Sequence, residues 1–362
     1  MENSIVLLGS TGSIGVNTLE IAKRFNLEVE ALVAGRNIEL LNNQIAKFNP
    51  KFVAVANRED IPKVNHNRVF YGADGILEIL ELSSSNLVVN ALVGYIGLAP
   101  TLRAIKLDKR VALANKESLV VAGEFIDTSK IVPIDSEHFG LYYLLGDREF
   151  SKLYITASGG AFRDWSIEQI KRATFKDALN HPNWSMGDKI TIDSATMTNK
   201  LFELLEAKWL FNTQNIEAFI EKKSIIHALV EFRDGSTVAH FAGVDMKLPI
   251  AFAIEPNLNE QILKPINLLE IGSLEFLEID QKKYPIWQIK DDLLKNPHLG
   301  VVVNASNEEA IRLFREGRCT FFGMSDIILD AYSKFRDIRP NSIDDIIIID
   351  REVRDYIAKK YR

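Results

Sequence analysis

Short apolar runs and helical patterns alternate along the first third of the chain. Each apolar run is hydrophobic at consecutive positions, which is typical of strands covered on both faces of a sheet. We expect such strands at 4–8, 28–34, 52–56, 68–71, 87–90, 111–114 and 131–134. Between several of them, helical periodicity predicts helices at 18–25, 38–48 and 100–107. Repeated strand–helix units indicate a parallel, doubly wound sheet.

The pattern becomes mixed after about residue 135. The next predicted elements are a strand at 152–156, a helix at 197–211 and a hairpin of 224–232 with 237–242. Beyond a connector with little periodicity the pattern is helical, and Asn307 is expected to cap a helix over 308–316. We therefore predict an N-terminal doubly wound domain over 1–134, a central α+β domain over 135–256, a connector over 257–283 and a C-terminal helical domain over 284–362.

Composition narrows the class of protein. The 362 residues are 47% hydrophobic and 25% charged, which is typical of a soluble globular protein with two or three domains. A net charge of −6 disfavours a nucleic-acid partner, and the single cysteine, Cys319, excludes an intrachain disulfide. The N-terminus lacks a signal-peptide pattern, and no apolar run approaches the roughly 18 residues that cross a bilayer. We expect a cytoplasmic protein without a membrane partner.

A glycine-rich segment joins the first strand to the first helix. Residues 5–8 run directly into Gly9-Ser-Thr-Gly-Ser-Ile-Gly15, and a helix follows. Such a loop lets backbone N–H groups and a helix N-terminus approach a pyrophosphate, so we expect a Rossmann-type dinucleotide site. The alternative is a tight turn without a ligand. The second strand ends at Arg36, where NAD enzymes usually have an acid, so the cofactor is expected to be NADP(H), unless Arg36 is only a solvated surface residue.

Two clusters of carboxylates are candidates for chemistry. Asp135 and Glu137 are two residues apart at the end of a predicted strand, where they would face one spot and need a shared cation or proton. Equally, they could begin a helix, with Asp135 as its cap. Asn199, Lys200 and Glu203 lie near one face of a predicted helix, although a solvated Lys–Glu pair would have the same spacing.

Several other residues have both a functional and a structural interpretation. Lys116 follows the strand at 111–114, at the sheet edge where doubly wound proteins bind ligands. Ser158 begins a Ser-Gly-Gly loop that can wrap an oxyanion, whereas His181, one of six histidines, has a structural alternative. Trp184 lies in a turn-rich loop, where a large ring is exposed unless it closes over a ligand. Cys319 is best explained as a small core residue.

The sequence resembles the 1-deoxy-D-xylulose 5-phosphate reductoisomerase family of the non-mevalonate isoprenoid pathway. Besides the glycine loop and Gly35-Arg-Asn37, five further strings occur in family order: Leu113-Ala-Asn-Lys-Glu-Ser-Leu119, Pro133-Ile-Asp-Ser-Glu-His138, Ser158-Gly-Gly160, His181-Pro-Asn-Trp-Ser-Met-Gly187 and Asp193-Ser-Ala-Thr-Met-Thr-Asn-Lys200 with Glu203. One departure is Leu201, where the family usually has Gly.

The resemblance implies a role for each matched residue. One divalent cation, Mg²⁺ or Mn²⁺, would be bound by Asp135, Glu137 and Glu203. The cofactor NADPH would be contacted by Gly9, Ser10, Thr11, Gly12, Ser13, Ile14, Gly35, Arg36, Asn37, Asn115, Glu117, Met186 and Gly187. The phosphorylated sugar substrate would be contacted by Lys116, Ser136, Ser158, His181, Trp184, Ser194, Asn199, Lys200 and Glu203. Catalytic roles would fall to Lys116, Glu137 and His181.

The resemblance also implies the reaction. The cation would stabilise negative charge while retro-aldol cleavage and re-addition rearrange the carbon skeleton, and NADPH would reduce the resulting aldehyde to 2-C-methyl-D-erythritol 4-phosphate. It further implies a homodimer. Two other functions share the glycine loop and Arg36: an NADP-dependent dehydrogenase without isomerisation, and a redox-sensing protein that binds NADP(H) without chemistry. Neither requires three convergent carboxylates.

Overall fold

A computed structural model describes residues 4–146, 148–184 and 186–362, so Ser185 of the predicted loop lies outside the described residues. The chain folds into two compact units. The first contains the described residues up to Ser118, together with Asp127–Phe139 and Asp245–Lys264. The second contains Leu119–Ile126, Gly140–Val244 and Pro265–Arg362. The four-part division made from the sequence stays a prediction.

The strands occur mostly in the first half of the chain. In chain order they are β1 (Ser4–Leu8), β2 (Glu28–Val33), β3 (Phe52–Val55), β4 (Val69–Tyr71), β5 (Leu87–Asn90), β6 (Arg110–Leu113), β7 (Ile131–Pro133), β8 (Phe150–Ala157), β9 (Ile216–Ile220), β10 (Ile226–Phe232) and β11 (Thr237–Phe241).

The helices are distributed along the whole chain. They are α1 (Ser13–Arg24), α2 (Ile38–Phe48), α3 (Gly72–Leu82), α4 (Leu98–Lys106), α5 (Lys116–Ala122), α6 (Ser136–Leu145), α7 (Ile167–Ile170), α8 (Phe175–Ala178), α9 (Asp188–Thr196), α10 (Thr198–Phe211), α11 (Lys247–Ile254), α12 (Leu268–Ile271), α13 (Lys290–Lys295), α14 (Gly300–Arg315), α15 (Phe321–Lys334) and α16 (Ile343–Lys360). Short 3-10 turns lie at Arg58–Lys63, Tyr95–Gly97, Gly123–Phe125, Thr128–Lys130, Pro285–Ile289 and Pro297–Leu299. Among the described residues, no helix is both long and apolar enough to cross a membrane.

The first unit is built on a seven-stranded sheet in the order β4-β3-β2-β1-β5-β6-β7, and all of its pairings are parallel. Residues 5–8 of β1 are completely buried, because helices cover both faces of the sheet. The strand order reverses between β1 and β5, and ligands of such sheets bind at the carboxyl ends of the strands near this reversal. The predicted α/β fold class is confirmed.

The second unit has a four-stranded mixed sheet in the order β11-β10-β8-β9. Strand β10 pairs antiparallel with both β8 and β11, whereas β8 pairs parallel with β9. The predicted hairpin is present, and its turn contains Gly235 with a φ of +86°. Strand β9, whose five residues alternate between buried and half-buried, was not predicted.

The C-terminal part of the second unit is helical, but one predicted boundary is wrong. Helix α14 begins at Gly300 and not at Glu308, so Asn307 lies inside the helix and does not cap it. The β-branched run 301–303 disfavours a helix by propensity, yet these residues are completely buried, and packing outweighs propensity here. Asn307 is 1% exposed and donates a hydrogen bond to Asp193.

Candidate active site

The glycine loop leaves the start of α1 open to an anion. Gly9 has a φ of +86°, and a Cβ there would lie 2.5 Å from the Ala91 carbonyl oxygen, so only glycine fits. A Cβ at Gly15 would lie 2.3 Å from the Gly9 oxygen, which explains the close contact of the helix with the loop. Gly12 precedes the helix, and no side chain caps the first turn. The backbone N–H groups of this first turn can therefore donate hydrogen bonds to a phosphate, as in a dinucleotide-binding loop.

The segment after β2 contains Arg36, the positively charged residue that we expect to bind NADP(H). Gly35 and Arg36 are exposed, so the guanidinium is accessible to a ligand. The Asn37 side chain accepts a hydrogen bond from the Leu40 N–H at 3.1 Å and caps α2. Asn37 therefore has a structural role whether or not it contacts a cofactor.

Asn115 organises the carboxyl ends of β5 and β6. It is 1% exposed, and its amide donates to the Leu92 and Gly94 carbonyl oxygens, both at 2.9 Å. The same amide donates to the Glu117 carboxylate at 3.2 Å. The predicted cofactor residues Asn115 and Glu117 are thus buried at the sheet edge, where they hold the loop that follows β5.

A buried ion pair lies at the same edge of the sheet. The Lys116 ammonium is 2.7 Å from the Asp135 carboxylate, and both side chains are almost completely buried. His138 Nδ1 lies 3.2 Å from the other Asp135 oxygen, which also accepts from the Glu137 N–H at 3.2 Å. Burial would raise the pKa of Asp135, but the Lys116 charge and the His138 hydrogen bond outweigh it, so the pKa lies well below the ordinary value and the group is ionised.

Asp135 precedes α6, so the helix-start alternative describes the backbone correctly. The carboxylate nevertheless faces Lys116, so capping and ligand binding are compatible roles for Asp135. The Ser136 hydroxyl donates to the Glu137 carboxylate at 2.6 Å. These oxygen donors, with Asp135 ionised, have the chemistry that Mg²⁺ or Mn²⁺ requires.

The corresponding pair in the second unit lies on α10. The Lys200 ammonium contacts the Glu203 carboxylate, and these residues are 4% and 2% exposed, so the solvated Lys–Glu alternative is wrong. The Asn199 amide also donates to Glu203. Leu201, the departure from the family pattern, is buried in the same helix. A lysine and a carboxylate buried together indicate a binding site more than a surface helix.

The Ser158 loop packs directly against α9. Gly160 has a φ of +67°, and a Cβ there would lie 2.5 Å from the Ser194 carbonyl oxygen and 2.6 Å from Ala195 Cα. This close approach places the loop beside the backbone of Ser194. Met197, with a φ of +68°, then turns the chain from α9 into α10, which carries Asn199 and Lys200.

His181 is held in one tautomer. Its Nδ1 accepts hydrogen bonds from the Asn183 and Trp184 N–H groups at 3.1 and 2.9 Å, so the ring proton is on Nε2. Nε2 donates to the Ser158 hydroxyl oxygen at 2.8 Å, and the Gly160 N–H donates to the same oxygen at 3.1 Å. The Ser158 hydroxyl hydrogen is then left to donate to a ligand. Burial and the Arg163 charge lower the pKa of His181 to about 4.

The predicted covering loop is partly described. Trp184 and Met186 are half-buried, and the Trp184 ring lies edge-on to the His227 ring with centroids 6.0 Å apart. Gly187 precedes α9, and its carbonyl oxygen accepts from the Thr191 hydroxyl at 2.9 Å. The loop therefore runs directly from His181 into the helix that carries Ser194.

Sequence reasoning missed the residues that hold this loop. Arg163 donates to the Ser158 and Lys222 carbonyl oxygens at 3.2 and 2.6 Å. Asn183 donates to the same Lys222 oxygen at 2.8 Å and to the Ser224 hydroxyl at 2.6 Å. The local signal is that Arg163 follows the Gly-Gly loop, whereas Lys222 lies 59 residues farther along the chain.

Three models of one family match the chain. They are described as 1-deoxy-D-xylulose 5-phosphate reductoisomerase for residues 5–123, its C-terminal domain for 131–211, and the DXP reductoisomerase C-terminal domain for 241–356. Relatives with the same description include that of Nautilia profundicola, 60% identical over 99% of this chain and 100% of the relative. That of Campylobacter hominis is 53% identical over 99% of this chain and 100% of the relative.

The chain belongs to the 1-deoxy-D-xylulose 5-phosphate reductoisomerase family. A crystal structure of a DOX-P reductoisomerase with NADPH, fosmidomycin and magnesium is similar, with a TM-score of 0.92 and 32% identity over 99% of this chain and 98% of that one. The Zymomonas mobilis reductoisomerase with NADPH has a TM-score of 0.90 and 30% identity over the full length of both chains.

Membership of the reductoisomerase family confirms the predicted family, the fold class, the NADP-dependent oxidoreductase class and the reaction. The ligands of the similar structures agree with the predicted cofactors, NADPH and a divalent cation. The two other functions considered from the sequence, a simple dehydrogenase and a redox sensor, are wrong. The role of each site residue stays a prediction.

The His181 arrangement predicts a neutral ring throughout the neutral pH range. The pKa of His181 in the folded protein, about 4, lies below the ordinary value of 6.5, so the unfolded chain takes up the proton first as the pH is lowered. The free energy of unfolding should therefore fall as the pH drops from about 6.5 to about 4. Nitrogen-15 NMR of the imidazoles, assigned with His181→Gln, should show the Nε2–H tautomer and a titration near pH 4. An Nδ1–H tautomer or a titration near 6.5 would contradict the geometry.

Proposed function

We propose that this chain carries out its family's reaction, the NADPH- and cation-dependent conversion of 1-deoxy-D-xylulose 5-phosphate into 2-C-methyl-D-erythritol 4-phosphate, with the residues described above. The observation that carries the proposal is the buried pair of Lys116 with an ionised Asp135, 2.7 Å apart, at the carboxyl edge of the parallel sheet. A charged pair is costly to bury, and this edge is where such sheets bind ligands.

A divalent cation would be held by Asp135, Glu137 and Glu203. All three offer oxygen ligands, which suits Mg²⁺ or Mn²⁺. The His138 hydrogen bond to Asp135 is the kind of contact that orients a ligand carboxylate. When bound, the cation supplies a positive charge that stabilises negative charge on neighbouring substrate oxygens.

NADPH would lie along the glycine loop and supplies the hydride. The backbone of Gly9, Ser10, Thr11, Gly12, Ser13 and Ile14 would bind the pyrophosphate, because the first turn of α1 has no side-chain cap. The exposed Arg36 would pair with the 2′-phosphate, beside Gly35 and Asn37. Asn115, Glu117, Met186 and Gly187 would contact the nicotinamide half.

The substrate phosphate would be bound in the second unit by Ser158, His181, Ser194, Asn199 and Lys200. Ser158 has its hydroxyl hydrogen left to donate, since its oxygen already accepts two hydrogen bonds. Lys200 supplies a positive charge in a buried setting, where electrostatic attraction is stronger than in water. Binding energy from the phosphate would orient the reacting carbons, which lie farther along the molecule.

Lys116, Ser136 and Trp184 complete the proposed substrate contacts. Lys116 would donate to the substrate oxygens, and Ser136 would contact the substrate from the start of α6. Glu137 would act as a ligand of the cation, whose positive charge stabilises negative charge on the substrate. The half-buried Trp184 would cover the substrate and exclude water.

We also propose that the protein is a cytoplasmic homodimer. Strand β11 lies at the edge of its sheet, and Tyr142, Tyr143 and Phe241 are 48%, 60% and 38% exposed in the same unit. An exposed sheet edge with aromatic neighbours favours pairing with a second chain. Sedimentation equilibrium should give the mass of a dimer, and a monomer mass at micromolar concentration would contradict this proposal.

A spectrophotometric assay tests the reaction. Purified protein, NADPH, Mg²⁺ and 1-deoxy-D-xylulose 5-phosphate should lose NADPH absorbance, and chelator should stop the loss because charge stabilisation requires the cation. The matched control is a simple phosphorylated ketose without the deoxy methyl group. No substrate-dependent loss would contradict the proposed reaction, and loss that chelator leaves unchanged would contradict the role of the cation.

A further inference from the structure

A buried hydrogen bond joins α14 to the helix that carries Ser194. The Asn307 amide donates to the Asp193 carboxylate at 2.7 Å, and the two residues are 1% and 2% exposed. The Lys189 ammonium, one turn earlier on α9, contacts the other Asp193 oxygen at 2.8 Å. Each carboxylate oxygen therefore has a donor, one from within α9 and one from 114 residues farther along the chain.

Asp193 lies in the last turn of α9, which ends at Thr196. The Thr196 hydroxyl donates to the Asp193 carbonyl oxygen at 3.2 Å, and the Met197 N–H donates to that of Ser194 at 3.3 Å. Thr196 and Thr198 also share a hydrogen bond of 2.8 Å across the junction with α10. These short links mean that a rotation of the last turn of α9 would move the start of α10 with it.

The same turn has a second fixed contact. Gly160 lies so close to Ser194 and Ala195 that a Cβ at this position would be 2.5 and 2.6 Å from their backbone atoms. Loop and helix are thus in direct backbone contact, and Asn307 adds a hydrogen bond to the same turn from α14. A further ion pair between these helices, Arg315 with Asp188 at 3.5 Å, lies at the exposed start of α9.

We propose that Asn307 is a positioning residue for the phosphate subsite and acts through Asp193 on Ser194. This inference rests on the proposed function, which places Ser194 against the substrate phosphate. It assigns a task in substrate binding to the C-terminal helices, although Asn307 itself does not touch the substrate. A buried amide suits the task because its donor direction is fixed by the helix on which it lies.

Asn307→Ala removes one donor from a buried carboxylate. Asp193 would then turn toward Lys189 or water, and the last turn of α9 would lose this hydrogen bond to α14. The KM for the sugar phosphate should rise by about tenfold, with a smaller change in kcat. The reason is that the phosphate is bound about equally in the ground state and the transition state, and loss of such binding raises KM more than it lowers kcat. The KM for NADPH should stay unchanged.

The matched control is Asn296→Ala. Asn296 also donates its amide to an aspartate in the second unit, at 3.3 Å from the carboxylate of Asp292, four residues earlier in α13. Asn296→Ala should leave both KM values at the wild-type level, and its stability toward urea shows how much of any change follows from loss of an Asn–Asp hydrogen bond alone. If Asn307→Ala does not fold, Asn307→Ser keeps a shorter donor and takes its place.

Ser194→Ala and the double variant show whether the effect passes through Ser194. If it does, Ser194→Ala raises the substrate KM, and adding Asn307→Ala raises it little further, since coupled residues are not additive. An unchanged KM in Asn307→Ala, or two independent multiplying effects, would overturn the positioning role. An unchanged KM in Ser194→Ala would instead overturn the proposed phosphate subsite itself.

Discussion

In each unit, a buried lysine is paired with a buried carboxylate that the proposed function assigns to the cation. Lys116 holds Asp135 at the edge of the parallel sheet, and Lys200 holds Glu203 on α10. Moving one such charge out of water costs several kcal/mol, so neither residue is tolerated without a partner. Apolar residues of similar size at such buried positions often give a folded protein equal or higher stability than an ion pair does. We therefore attribute these buried charges to function.

The backbone around these pairs follows from the same constraint. Strands β1, β6 and β7 are each followed within a few residues by a helix: the glycine loop runs from β1 into α1, Lys116 is the first residue of α5, and Asp135 directly precedes α6. A helix N-terminus favours negative charge, so it suits the phosphates of a dinucleotide and the carboxylate of Asp135 alike. In the second unit, α9 and α10 are joined by one residue, Met197, in the left-handed conformation. This junction places hydroxyl, amide and ammonium groups on neighbouring helical turns.

The local part of this structure could be predicted from the sequence. Consecutive apolar runs located the strands of the parallel sheet, and Asn37 marked the start of α2 because its capping hydrogen bond is local. Asn307 was misinterpreted as a cap for the opposite reason, since its partner Asp193 is 114 residues away. The pairing of Lys116 with Asp135 and the contact of Arg163 with Lys222 also join residues distant in sequence, so no rule of local spacing predicts them. The residue roles came from the family resemblance.

Binding of Mn²⁺, followed by the electron paramagnetic resonance of the free ion, shows whether the carboxylates of Asp135 and Glu203 bind one cation. We expect Asp135→Asn and Glu203→Gln each to weaken Mn²⁺ binding at the same site by at least about tenfold, with NADPH binding retained. Glu217→Gln, which removes the carboxylate 2.8 Å from Lys290, is the matched control and should bind Mn²⁺ as the wild type does. Wild-type affinity in either Asp135→Asn or Glu203→Gln would contradict the account.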